Sequence, residues 1–172
     1  MNKLPKIVGI TLCVLFILYL LIPGPAFPPP PPDAVQSEEK ADQETPLRRA
    51  YFTNFTRQEV VDYYRGAFGK SLITPLPSIR LNYPPEDAQT LIRDQTRSTF
   101  LEEIAHPFRE SIYINGFEPK DPKDDVWYKG VDYRQKIIVK YNPSSLFARI
   151  PIAALTLAAA YFLIKEWIYG HA

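Results

Sequence analysis

One cysteine, two histidines, one methionine and seven glycines occur among 172 residues, and each shortage removes a class of chemistry. Cys13 alone can form neither an intrachain disulfide nor a cysteine-rich zinc site. A domain outside the cytoplasm would therefore rely on its core. Of the two histidines, His171 is one residue from the end and His106 stands alone in the body of the chain, too few for the usual nucleophile–base pairs. No Gly-rich phosphate loop, Gly-x-Ser-x-Gly elbow or Cys–His pair can be written. A net charge of +1 lacks the basic excess of a nucleic-acid binder. No internal repeat is present.

Two long uncharged runs stand at the ends. Ile7 to Ile22 is apolar for sixteen residues, behind Lys3 and Lys6. That is the pattern of a signal anchor, extended back to Leu4 to reach the lower limit for crossing a hydrocarbon core of about 30 Å. The proline-rich sequence that follows offers no small-x-small cleavage site, which favours a retained anchor over a cleaved peptide. Ile150 to Ile164 is the second run, flanked by Arg149 and by Lys165, Glu166, Trp167 and Tyr169, residues that suit a membrane interface. Pro151 falls where an early helical residue is expected. Ala154 and Ala158 place small residues four apart, a face on which another helix can pack. Two spans and a short basic amino-terminal tail predict both termini in the cytoplasm and the middle domain outside. Arg134, Lys136, Lys140 and Arg149 before the second run oppose that orientation mildly.

Proline is abundant, with 18 residues, nine of them between positions 5 and 46. Pro23 to Pro32 holds seven prolines in ten residues, which predicts a polyproline II stalk of about 30 Å. The acidic stretch from Asp33 to Pro46 has too little apolar surface to order itself. Residues 24–47 therefore read as a linker, 1–23 as the anchor, 48–143 as the domain, and 144–172 as the second span with its tail.

Within the domain, Thr56 and Glu59 form a capping box before an apolar face of Val60, Val61, Tyr63, Tyr64, Ala67 and Phe68, and Gly69 stops that helix. Ser78 to Tyr83 alternates as a strand. Pro84 and Pro85 with Glu86 and Asp87 open a second helix that buries Ala88, Leu91 and Ile92. Thr99 to Ala105 suits a helix or a strand. Ser111 to Phe117 and Tyr133 to Tyr141 alternate as strands, with a polar loop from Glu118 to Asp125 between them. The expected class is α+β: two helices on a mainly antiparallel sheet of three or four strands, between two transmembrane helices.

Chemical motifs are sparse. Glu103 and His106 have the Glu-x-x-His spacing of carboxylate-bridged metal bundles, but only one copy exists and Pro107 abuts it. Glu102, Glu103, Arg109 and Glu110 read as a polar face around a turn. Asp121, Asp124 and Asp125 lack the ligand alternation and glycine turn of a calcium loop. Asn54 with Thr56 fits a glycosylation acceptor, although Thr56 already serves as a helix cap. Trp127 and Tyr128, in a loop between charges, are the candidate protein or glycan contacts. No metal, cofactor, small-molecule ligand or nucleic acid is implied; the expected partners are the bilayer and another envelope protein. The leading expectation is a non-enzymatic membrane-anchored envelope protein whose domain mediates interaction or assembly. A sensing or regulatory subunit and an envelope enzyme acting on glycan or lipid through Glu102, Glu103 and Glu110 are the alternatives.

Overall fold

The computed structural model describes residues 4–69, 77–93 and 97–169, and the side chains of 6–167 within them. His171 lies outside the described residues. The elements in chain order are α1 (Leu4–Leu21), β1 (Val35–Gln36), β2 (Arg48–Thr53), α2 (Arg57–Phe68), β3 (Ile79–Tyr83), α3 (Ala88–Leu91), β4 (Phe100–Ala105), β5 (Ser111–Phe117), β6 (Val126–Tyr128), β7 (Val131–Tyr133), β8 (Gln135–Asn142) and α4 (Leu146–Tyr169). They form two compact units, the pair α1 with α4, and the segment Pro25–Pro143.

The second unit is α+β. Its sheet has six antiparallel strands in the order β1-β2-β8-β5-β4-β3, with β6 and β7 as a separate hairpin. The sheet is larger than the three or four strands expected, because β2 and β4 are buried on both faces and show no alternation along the sequence. The capping box at Thr56 and Glu59 starts α2, and Gly69 ends it. Val60, Tyr64 and Phe68 of α2 pack on Tyr51, Phe100, Ile104, Ile112 and Ile137. The opposite face is thinner: Ala88 and Ile92 at α3 cover Ala50, Leu101 and Ile138. The second expected helix is thus a 3-10 turn at Pro85–Asp87 followed by a single α-helical turn.

Residues 25–47 do not behave as a free stalk. Phe27 packs edge-on to Tyr141, the Tyr141 hydroxyl donates to the Pro25 carbonyl at 3.0 Å, and the Tyr63 hydroxyl donates to the Pro30 carbonyl at 2.7 Å. Asp33 accepts from the Thr53 hydroxyl and the Asn54 amide. The acidic stretch is ordered by cations brought from other strands. Asp42 is buried, accepts from Ser37 at 2.5 Å and pairs with Lys136 at 2.7 Å. Arg48 holds the Ala41 carbonyl and Glu44. Low hydrophobicity predicts disorder only where such partners are missing.

In the helical unit, α4 runs for 24 residues, and Leu146–Trp167 is long and apolar enough to cross a membrane, at about 33 Å for 22 residues. It starts earlier than the expected run, which places Pro151 inside it and leaves the Phe147 carbonyl without its i+4 donor. The apolar part of α1 is shorter: Lys6–Leu21 is sixteen residues, about 24 Å, and Pro23 stops it. Among the described residues one helix, not two, meets the length and composition for a span. The Arg149 guanidinium of α4 donates to the Leu20 carbonyl at 3.0 Å and the Ile22 carbonyl at 3.4 Å. A cation thereby caps the negative end of the α1 dipole and ties the end of α1 to the start of α4. Ala153, one turn on from Arg149, is buried, whereas Ala154 and Ala158 are exposed. The expected small-residue face does not take part in this pairing.

Gly116 lies opposite Phe100, and a Cβ there would overlap the Phe100 ring. Gly116→Ala is expected to lower the stability of the full chain in detergent by about 1–3 kcal/mol, as overpacking does. In thermal unfolding, Gly116→Ala combined with Phe100→Leu should lose less than the sum of the two single losses.

Candidate functional site

Three carboxylates of the β4–β5 region carried the enzymatic alternative, and the fold sends them to different surroundings. Neighbours along a strand point to opposite faces. Glu102 therefore faces α2, and Glu103 faces the α3 side. Glu110 lies beyond the strand, in the turn between β4 and β5.

The Glu102 carboxylate is fully buried between two guanidiniums. Arg57, the first residue of α2, reaches Oε1 with Nε at 3.0 Å and also with Nη2. Arg80 of β3 donates to Oε2 at 2.9 Å from Nε and to Oε1 at 2.8 Å from Nη2. Arg57 also donates to Asn82, and its guanidinium lies over the Phe100 ring at 5.2 Å. Burial raises the Glu102 pKa, but the hydrogen bonds from Arg80 and Arg57 outweigh it and hold the carboxyl below the usual Glu value. Sequence reasoning missed both arginines. The available signal was Glu102 itself, a charge amid apolar strand residues that must find a partner.

Beside this cluster lies a cleft of about 320 Å³, lined by Arg57, Asn82, Tyr83, Pro84, Thr99 and Phe100. It contains no carboxylate or imidazole, and its arginine is already bonded to Glu102. On the other face the Tyr83 hydroxyl donates to Glu103 at 2.5 Å. That bond, foremost, raises the phenol pKa well above its ordinary value.

The third group is compact. Glu110 accepts from Arg109 at 2.7 Å and meets His106 Nδ1 at 3.0 Å, with all three side chains buried. The His106 ring stacks on Phe68 at 4.5 Å. Burial raises the Glu110 pKa, and His106 with Arg109 more than offsets it. Glu103 and His106 are not a helical ligand pair, since three residues along an extended chain put them on opposite faces. Among the described residues no group of three His, Cys, Asp or Glu could hold a metal ion. In the acidic loop, Asp121 caps the 3-10 turn at Pro122–Asp124 and pairs with Lys123, while Asp124 pairs with Arg97.

Trp127 and Tyr128 lie in the β6–β7 hairpin, not in a loop. Its two-residue turn, Lys129–Gly130, has positive φ at both positions, the conformation that matches strand twist. Tyr128 turns inward, stacks on Phe52 at 4.2 Å and accepts from the Glu38 amide at 3.1 Å. Trp127 points outward and is 64% exposed. Only Trp127 of the pair offers a free surface, and Tyr128 fastens the hairpin.

No protein-family model, curated protein or solved structure matches this chain.

Glu102 and Glu110 both have pKa values lowered by folding from the model-compound value of 4.5. Their ionised forms therefore contribute stability above about pH 4.5, which is lost as pH falls through the lower folded values. Thermal unfolding of the full chain between about pH 3 and 7 should show that acid loss. Glu102→Gln is expected to lower the melting temperature at neutral pH and make the acid limb shallower.

Proposed function

We propose that the protein is a membrane-anchored envelope protein whose α+β domain stands outside the membrane and mediates protein interaction or assembly without catalysing a reaction. The observation that carries this reading is how the buried polar groups are used. Glu102, Glu103 and Glu110 are each bonded internally, in three separate places, rather than meeting at a common cleft. Catalytic carboxylates need to reach one reacting centre with geometry free for a substrate. The anchor is α4, supported by α1, whose exposed apolar side chains and pairing through Arg149 suit a second membrane segment. The basic residues Lys3 and Lys6 support an amino terminus held inside.

Two measurements test it. With Cys13→Ser and Trp127→Cys, a membrane-impermeant maleimide should label intact cells as fully as permeabilised ones. Labelling only after permeabilisation would place the domain inside and overturn the orientation. Crosslinking in situ before detergent extraction should recover a complex with another chain or with a second copy. Recovery of the uncrosslinked single chain alone, at every crosslinker length, sinks the interaction reading.

A further inference from the structure

The six-stranded sheet has two edges, and they are treated differently. The β1 edge is only two residues long, and the β6–β7 hairpin is fastened next to it through Glu38, which pairs with Lys129 at 2.6 Å and donates its amide to Tyr128. The β3 edge is five residues long, and among the described residues no strand pairs with its outer side. Ile79, Arg80, Leu81 and Asn82 are all exposed, although β4 beside them is buried.

Natural edges are usually blunted by an exposed lysine, a proline, a bulge or extreme shortness. β3 has none of these within Ile79–Tyr83. Its single charge is Arg80, whose guanidinium is held against the buried Glu102, a carboxylate it shares with Arg57. The charge on this edge is thus tied back onto β4 instead of pointing toward an incoming strand.

We propose that β3 pairs antiparallel with β3 of a second copy of this chain, about a two-fold axis at Leu81; this rests on the interaction reading above. The strand is complementary to itself in that register. Leu81 faces Leu81, and Ile79 faces Tyr83, on the side of the sheet that carries α3. On the other side Arg80 faces Asn82 twice, so an arginine meets an amide oxygen rather than a like charge. Directly opposed apolar and polar pairs of this kind are the stabilising unit of a sheet. A two-fold pairing is also the commonest route to a homodimer, because one patch serves both partners. One strand pair is small against the roughly 1,600 Å² of a standard interface, so the pairing depends on the raised effective concentration of anchored copies.

The test uses the full chain in proteoliposomes, with Cys13→Ser throughout and single cysteines at two positions. In this register residues at 81 oppose each other at about 5 Å, while the two copies of residue 79 are about 14 Å apart. Mild oxidation should convert Leu81→Cys to a disulfide dimer at least fivefold faster than Ile79→Cys. Equal rates at the two positions would report random collision and overturn the proposal. Leu81→Lys, which opposes two like charges at the two-fold axis, should abolish crosslinking between copies by a photoactivated reagent. If no disulfide forms at 81 but, in intact cells, Leu81→Lys removes crosslinking to a different protein, the second copy is wrong and the interaction reading stands. If neither self-association nor any capture is seen, both fail.

Discussion

A carboxylate with no access to water, Glu102, governs how this domain is put together. An unpaired buried charge costs several kcal/mol, so the strand that carries it is tolerated only where cations arrive from elsewhere. Both arrive: Arg57 brings the first turn of α2, and Arg80 brings β3. Three elements remote in sequence are therefore fixed by one side chain. The cleft between them, the cation–ring contact of Arg57 with Phe100, and the turning of Arg80 toward β4 are all consequences. Gly116 belongs to the same arrangement, because it leaves room for the ring on which Arg57 rests.

The parts of the fold legible in the sequence are those set by local signals. Thr56 and Glu59 announce α2, and alternation announces β3, β5 and β8 to within a residue or two. The parts that escaped have partners far along the chain. Strand β2 begins with two arginines and is buried on both faces, so no period marks it. Strand β4 contains adjacent glutamates, which read as surface until Arg57, Arg80 and Tyr83 are seen to meet them. The acidic stretch looks incapable of order until Lys136, almost a hundred residues on, is placed beside Asp42. The same limit applied to the candidate contacts. Trp127 and Tyr128 are adjacent and similar in composition, yet strand geometry sends one outward and the other onto Phe52.

The helical unit shows a related economy. Arg149 is a cation at the start of an apolar helix, where an unsatisfied guanidinium would be expensive. It is spent on the terminal carbonyls of α1, which need donors for the same reason. One side chain answers two polar demands and ties the two helices together. The hydrophobic runs were visible in the sequence; their pairing through this residue was not.

The position of β8 has a consequence in time. This strand pairs on both sides, with β2 and with β5, and only three residues separate it from α4. Synthesis proceeds from the amino terminus, so β2 and β5 are both made before the strand that joins them. Until then each shows an open edge, and the polypeptide is at its most prone to mispair. When β8 does emerge, the apolar helix α4 follows almost at once. Sheet closure and the emergence of a helix long and apolar enough to cross a membrane therefore fall in the same short interval of synthesis, and a delay in closure prolongs exposure of the half-built sheet.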